Sequence, residues 1–395
     1  MNSILLAGIA WHGVVSPLSA QFSSGSSGSD GELTFPQAKP GDIVLFDPSA
    51  FNPSQRQRID QVYQFTTIRI PKDVTIKLSA SLLNGPVFWL AQGPVEIEGT
   101  IDLTGGQGTD QLPQQPSVAG AGGYGGGVGA SRKNPPQQGY GPGGGASDAK
   151  HAGGQFTGNK FLVPLIGGSG GSGGGVITEE PGCTGGAGGG ALLIASSVSI
   201  TVNGRVLANG GNSSGYTYGC GGGGSGGAIR LAAPLIAGSG VLSAGGGRPG
   251  GGDGWIRFEA SENQFAGLLN NTPVSLGKPF GLFLPPSPEA TVQVVSINGV
   301  PLAQGGHAPA ISINQTTPVT VAVEARFIPP GTIIELDFFS EDGVRRSVST
   351  TPLQGSLDRS TAEASVVFPT GLTHCHVKAS WRQPPMPSGN ERKQD

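Results

Sequence analysis

The sequence predicts an all-β protein in which a glycine-rich β-solenoid, similar to a parallel β-helix, is followed by an immunoglobulin-like β-sandwich. Three observations lead to this fold class: repeated segments alternate apolar and polar residues, glycine recurs in long runs, and the composition changes after about residue 285. Glycine supplies 71 of the 395 residues, whereas charged residues make up only 12%. Low charge separates the chain from ordinary disordered proteins, which are usually highly charged.

The repeated segments predict the coils of the solenoid. In the first two, Val95 and Ile97 match Ile200 and Val202, so that apolar side chains recur at every second residue, as in a strand with one buried face. One such unit cannot bury its own apolar face, whereas stacked units can. The segments are VFWLAQGPVEIEGTIDLTGG from Val87, LLIASSVSITVNGRVLANGG from Leu192, AIRLAAPLIAGSGVLSAGGG from Ala228 and the partial WIRFEA from Trp255, with the related FTTIRIPKDVTIKLSA before them.

The glycine runs have two interpretations. Between positions 105 and 254 lie 51 of the 71 glycines, and several runs end directly in an apolar strand, as at Ala191 and Ala228. One interpretation is flexible linker. The other is extended polyglycine strands or left-handed helices, packed side by side because only glycine fits between them. The sequence leaves both open.

The segment boundaries follow from these changes in composition. We expect six or seven short strands after residue 285, in the manner of an immunoglobulin-like sandwich, although the Cys…Trp…Cys spacing of antibody domains is absent. The apolar start, with PLSA ending at Ala20, predicts a secretory signal peptide, and the alternative is an N-terminal strand buried in the fold. Elsewhere no apolar stretch reaches the roughly 20 residues needed to span a bilayer. The predicted parts are a signal peptide 1–20, linker 21–32, solenoid 33–260 with insertions 104–190, 209–227 and 245–254, connector 261–285, sandwich 286–381 and disordered tail 382–395.

The spacing of two cysteines predicts a disulfide bond. Cys183 and Cys220 each lie eight residues before an apolar strand, at Ala191 and Ala228. Equivalent positions in adjacent coils lie about 4.8 Å apart, within the range that a disulfide spans. An exported protein permits the bond. The alternative is two buried thiols, and Cys375 is left without a predicted partner.

Parts of the chain resemble known proteins. TTIRIPKDVTIKL, GPVFWLAQGPVEIEGTIDLTGGQG and GGAGGGALLIASSVSITVNGRVLANGG look like segments of glycine-rich, exported bacterial proteins of unknown function. The strand pattern more remotely resembles the right-handed parallel β-helix superfamily that includes pectate lyases and polygalacturonases. The first resemblance implies export without an activity, and the second implies an architecture and no catalytic residue.

The motifs do not assemble a catalytic, cofactor or metal site, and we predict none of the three. Glu96, Glu98 and Asp102 face outward in the first unit, but Thr201, Asn203 and Leu207 follow them in the next, so no carboxylate ladder continues. The pair His374 and His376 lacks an evident third ligand and is expected to be surface histidine. The serines in the two GGSGG segments lack the strand–turn–helix context of a nucleophile elbow.

The sequence therefore predicts a non-enzymatic, exported structural or adhesive protein, with extracellular polysaccharide or other surface proteins as partners. The net charge of −3 without a basic stripe argues against nucleic acid. One alternative is a polysaccharide-degrading β-helix enzyme, which needs two or three carboxylates, or a cation with a carboxylate, in a groove on the outer face. The other alternative is a carbohydrate-binding module that uses aromatic side chains in the glycine-rich loops; the candidates are Tyr124, Tyr140, Tyr216 and Tyr218. The same rings would also serve to fill gaps between glycine strands, and the sequence does not separate the two roles.

Overall fold

The structure is a computed structural model that describes residues 22–48, 61–110, 115–132, 134–147, 151–176, 181–214, 219–282, 284, 290–302, 317–340, 345–368 and 373–379. Every element whose bounds it describes is a strand, which confirms the predicted all-β class for this part of the chain. The predicted signal peptide and the tail 382–395 lie outside the described residues.

The strands pair in parallel up to residue 277 and antiparallel after residue 290. They are β1 Ile43–Leu45, β2 Val62–Phe65, β3 Ile68–Ile70, β4 Thr75–Lys77, β5 Val87–Ala91, β6 Val95–Ile97, β7 Thr100–Asp102, β8 Ala191–Ser196, β9 Ser199–Val202, β10 Arg205–Leu207, β11 Ala228–Gly238, β12 Val241–Ser243, β13 Trp255–Phe265, β14 Val274–Gly277, β15 Thr291–Ile297, β16 Val300–Pro301, β17 Val319–Arg326, β18 Ile334–Ser340, β19 Arg345–Ser349, β20 Gln354–Gly355, β21 Ser360–Val366 and β22 Thr373–Ala379.

The parallel part places each repeat beside the preceding one. A nine-stranded sheet runs β2-β5-β8-β11-β9-β6-β3, and β13 and then β14 continue it from β11. A five-stranded sheet runs β1-β4-β7-β10-β12. The predicted matches are confirmed: Val95 pairs with Ile200 and Ile97 with Val202. Apolar side chains alternate inward from both sheets into one shared core.

Two segments contribute more to the parallel part than the sequence predicted. Residues 22–35, mostly assigned to a linker, bond to the first strands, for example through the Asp30 amide to the Gln64 carbonyl at 2.9 Å. β13 continues to Phe265 and β14 pairs with it in parallel, inside the segment predicted as a connector. Main-chain pairing with β11 holds the second half of β13, whose side chains are largely exposed.

The glycine runs form an ordered bundle beside the sheets. Its central run is residues 182–190, in which successive amides rotate among three neighbouring segments, as in a helix with three residues per turn. Every amide of this run donates to another segment at 2.8 or 2.9 Å. The donors Cys183, Gly186 and Gly189 bond to residues 219–225, Gly182, Gly185 and Gly188 to residues 124–130, and Thr184, Ala187 and Gly190 to residues 103–109.

The central run also accepts hydrogen bonds from the segments 167–175 and 208–213, so five segments surround it. We call the six together the glycine bundle. A Cβ added at Gly186 would lie 1.9 Å from the Gly211 oxygen, and one at Gly188 would lie 1.9 Å from the Gly168 oxygen. None of the central glycines has a positive φ. Close backbone approach, rather than left-handed conformation, therefore requires glycine in this run.

The antiparallel part consists of two sheets with one core. The first runs β16-β15-β17-β21-β20 and the second runs β19-β18-β22. In β21 alternate residues are buried and exposed, which is the period-two pattern read from the sequence. Valine, alanine and phenylalanine side chains from both sheets share the core, which includes Val321, Val323 and Phe338. The six longer strands agree with the six or seven strands predicted after residue 285; they are β15, β17, β18, β19, β21 and β22.

Candidate functional site

Two short neighbouring strands present charged side chains to solvent. In β3, Ile68 and Ile70 are buried and Arg69 between them faces outward. In β6, Val95 and Ile97 are likewise buried, so Glu96 faces outward. The register places Arg69 beside Glu96, and strand alternation thus sets a cation and an anion side by side.

Arg69 lies between two carboxylates. Its Nε is 3.7 Å from Glu32 Oε1 and 3.7 Å from Glu96 Oε2. The three side chains are 59%, 49% and 46% exposed, in the order Arg69, Glu32 and Glu96. Just beyond β6, Glu98 accepts a hydrogen bond from Asn203 Nδ2 at 2.8 Å. This patch holds three carboxylates and one guanidinium, and solvent reaches each ion pair, so the pairs add little to stability.

A short loop forms the opposite wall. Phe35 anchors it, because its side chain is only 7% exposed and belongs to the core of the parallel part. The loop closes on itself through the Ala38 amide and the Phe35 carbonyl at 3.1 Å, and the Gly41 amide ties it to the Asp73 carbonyl at 2.7 Å. Between this loop and the strands lies an open groove of about 410 Å³, which we call the Arg69 groove; its lining residues are Thr34, Phe35, Pro36, Ala38, Arg69, Ile70, Pro71, Glu96 and Glu98.

The Arg69 groove meets the residue requirement of the enzyme alternative, since a cation and two carboxylates line a groove on the outer face. Glu96 and Glu98 were considered from the sequence, but Glu32, Arg69 and the loop were not. Carboxylic acids that donate protons in glycoside cleavage usually lie in dehydrated surroundings. Here about half of the Glu96 side chain is open to water. Exposed donors and acceptors of this kind suit binding better than cleavage.

The two predicted disulfide partners are brought together. Ala191 pairs with Ala228, as their spacing predicted, and this register carries back into the glycine bundle. Cys183 and Cys220 are both buried, with their Sγ atoms 3.5 Å apart in a thiol hydrogen bond. Burial and the Cys220 thiol raise the pKa of Cys183 from 9.0 to about 12. The structure thus brings the sulfurs into contact, and the covalent bond stays a prediction.

The predicted aromatic platform is described only in part. Tyr124 and Tyr140 lie on neighbouring segments joined by the Tyr140 amide and the Gly125 carbonyl at 3.0 Å. Tyr124 is 38% exposed, and its ring lies so close to Gly141 that a Cβ there would be 2.7 Å away. Burial raises the pKa of Tyr124. This tyrosine therefore covers glycine backbone as well as facing solvent. Tyr216 and Tyr218 lie outside the described residues.

Sequence analysis missed a buried ionic group on the outer side of the parallel sheet. Arg230 Nη2 lies 2.9 Å from Glu259 Oε2, and Arg257 Nε lies 2.6 Å from Glu259 Oε1. All three side chains are at most 6% exposed. The aligned segments AIRLAA and WIRFEA hold a signal for this group, because they place the two arginines in register in otherwise apolar strands.

The remaining predictions concern a metal site and a membrane-spanning segment, and they can be followed only in the described part of the chain. The strand β22 carries His374 and His376, but their side chains are outside the description. Among the residues with described side chains, no group of three or more histidine, cysteine, aspartate or glutamate residues is arranged to hold a metal ion. The same part of the chain has no helix that is both long and apolar enough to cross a membrane.

Comparisons of the chain with protein-family models, with curated proteins and with solved structures find no match. The parallel strands are compatible with a β-helix-like architecture. Any function therefore has to be argued from the chain's own geometry.

Proposed function

We propose that the chain is an exported, non-enzymatic structural or adhesive protein of the cell surface or extracellular matrix. In this proposal the parallel part is a β-solenoid and the antiparallel part is an immunoglobulin-like sandwich. The observation that carries it is the central glycine run, where each amide from residue 182 to residue 190 bonds to a neighbouring segment. Such packing suits a stiff scaffold and not a flexible linker.

The composition supports the same function. The glycine segments pack backbone against backbone, with no side chains between them. A protein built in this way contains few charged groups, which agrees with the 12% of charged residues in the sequence. Export is supported by the apolar N-terminal sequence, which is followed by PLSA ending at Ala20. The contact between the Cys183 and Cys220 thiols is compatible with export, because an oxidising compartment would allow them to form a disulfide.

The test follows the full chain in cells that produce it. Antibody raised against the purified protein measures its amount in cytosol, envelope and medium, and N-terminal sequencing identifies the mature start. We expect the protein in the envelope or matrix fraction, starting after Ala20 and resistant to a high-salt wash. Recovery of the uncleaved chain in the cytosol would contradict the proposal.

A polysaccharide-degrading enzyme is the second candidate, and the contact between Arg69 and Glu96 is the observation that favours it. Cleavage would need one of the groove carboxylates as an acid or a base. The check is to incubate the purified chain with neutral and acidic polysaccharides and to measure new reducing ends and unsaturated ends. The enzyme would replace the non-enzymatic proposal if the native chain produced reducing or unsaturated ends and if both Glu96→Gln and Glu98→Gln lost this activity.

A further inference from the structure

We propose that the Arg69 groove binds a short, uncharged oligosaccharide, and that this is the contact through which the protein adheres. The inference rests on the proposed adhesive function and names its ligand class and its site. Neither the repeats nor the tyrosines of the glycine-rich loops lead to this groove, because it depends on a loop that the sequence could not place beside β3.

The polar groups of the groove match hydroxyl groups. The Arg69 guanidinium only donates hydrogen bonds, whereas the carboxylates of Glu96 and Glu98 only accept them. Hydrogen-bond donors and acceptors therefore line the same groove, and Arg69 Nε lies 3.7 Å from Glu96 Oε2. A sugar hydroxyl both donates and accepts, so vicinal hydroxyls can serve both kinds of group at once.

The apolar wall matches the other face of a sugar ring. Pro36, Ala38 and Pro71 contribute carbon surface to the groove, and Phe35 supports it from the core. A pyranose ring presents C–H groups on one face and hydroxyls at its edge, and a small-ligand site of this type combines an apolar lining with few polar groups. The volume of about 410 Å³ lies in the range of such sites.

The balance of charge selects against acidic sugars. Glu32 and Glu96 flank Arg69, and Glu98 adds a third carboxylate. A uronic acid would bring a further carboxylate against this excess of negative charge. A purely cationic ligand would pair with the carboxylates but would leave the Arg69 donors unmatched, because an ammonium group cannot accept hydrogen bonds. A neutral hexose polymer avoids both conflicts and uses both kinds of polar group.

The groove is built before the ligand arrives. Its loop is fixed by the main-chain bonds at Ala38 and Gly41, and Phe35 is buried beneath it. The opposite wall is strand backbone in a parallel sheet. Binding therefore orders the exposed side chains of Arg69, Glu96 and Glu98 but not the loop or the strands, and this limits the entropy cost of association.

The experiment measures retardation of the purified full-length protein in native gels that contain a soluble polysaccharide, relative to the same protein in a gel without it. The probes are hydroxyethyl cellulose and galactomannan as neutral glycans, and polygalacturonate as the acidic one. The variants are Arg69→Gln and Glu96→Gln. Glu262→Gln is the matched control, because Glu262 is an exposed carboxylate of the same sheet, on β13 and away from the groove. Circular dichroism and thermal unfolding verify that each variant folds.

We expect at least one neutral glycan to retard the native protein and Glu262→Gln equally. Arg69→Gln and Glu96→Gln each remove a hydrogen bond to a charged group. Each substitution should therefore lower the affinity for the glycan, as obtained from the retardation, roughly tenfold. The inference is overturned if neither neutral glycan retards the protein, if polygalacturonate does so more strongly, or if folded groove variants bind as the native protein does. Surface retention in the fractionation test without glycan binding would leave the adhesive proposal standing and remove only this site.

Discussion

At Gly186 the carbonyl oxygen of Gly211 occupies the place where a side chain would begin, since an added Cβ would lie 1.9 Å from it. Gly186 also donates its amide to Gly222 at 2.9 Å, so the segment cannot move away without losing that bond. The backbone conformation itself is open to other residues, because φ is not positive. The close packing at Gly186 therefore requires a residue without a side chain.

Gly186→Ala should therefore destabilise the protein through overpacking, by about 1–3 kcal/mol or more, because backbone on both sides resists displacement. Gly245→Ala is the matched control, since its Cβ would meet only ordinary contacts at 3.6 Å and beyond. Urea unfolding followed by circular dichroism measures both free energies. Equal stability of the two variants would mean that the glycine bundle is not packed as described.

Glu259 is the second residue whose change should be severe. It accepts hydrogen bonds from Arg230 and Arg257, and its own side chain is 0% exposed. Glu259→Gln removes the only negative charge of this buried group and should lower the free energy of unfolding by about 3–5 kcal/mol. Glu262→Gln, on the exposed half of the same strand, should change it by less than about 0.5 kcal/mol. Similar urea midpoints for the two variants would show that the ionic group is unimportant for stability.

The pairing partners of individual residues were predictable where the sequence repeats could be aligned. Ala191 and Ala228 were matched from their spacing alone, and the register confirms the match. Arg69 was not recognised as part of a site, since nothing in the sequence of β3 indicates which loop will lie against it. The partners of each glycine were also out of reach, because a residue without a side chain carries no pattern that selects a neighbour.

At the scale of elements, the two cysteine-bearing segments 182–190 and 219–227 run together. Oxidation of the contacting Cys183 and Cys220 thiols should stabilise the protein by about 2–4 kcal/mol relative to its reduced form. Peptide mapping by mass spectrometry of protein purified without reductant should recover the linked peptides. Recovery of both thiols unmodified from the exported protein would contradict the predicted bond.

The raised pKa of the Cys183 thiol should make the stability of the reduced protein depend on pH in a way that the oxidised protein does not share. The folded pKa of Cys183 is about 12 and its ordinary value is 9.0, so the folded state holds the proton more tightly. This contribution is complete below pH 9 and is lost as the pH rises from 9 towards 12. Reduced protein should therefore lose more stability between pH 8 and about 10.5 than oxidised protein does. Urea unfolding in a Cys375→Ser background measures the difference, because Cys375 also has a pKa raised to about 12. Equal slopes would exclude Cys183 as the source.

Elements with alternating side chains were predictable, and elements held by backbone alone were not. β6 and β9 follow from buried residues at every second position. The second half of β13 reads SENQF and has no apolar alternation, so only its pairing with β11 defines it as a strand. Segments of the glycine bundle likewise have no side-chain period, and their order follows from hydrogen bonds between distant parts of the chain.

At the scale of the whole molecule, the parallel and antiparallel parts have separate cores. The buried cluster that contains Trp89 and Ile194 shares no residue with the cluster that contains Val321 and Phe338. We expect limited proteolysis to cut between residues 278 and 290 and to release two resistant fragments, as separate cores allow. A single resistant fragment spanning both cores, or cleavage first within the sheets, would contradict this division.

Hydrogen exchange of the full-length protein tests whether the glycine-rich sequence forms packed structure. Exchange is followed by mass spectrometry across residues 105–254 and compared with that of β8 and β11, whose amides lie in parallel ladders. The amides of residues 182–190 should be protected to a similar degree, because each one bonds to a neighbouring segment. Exchange at free-peptide rates in those residues, with β8 and β11 still protected, would show that the glycine runs are flexible linkers and not packed structure.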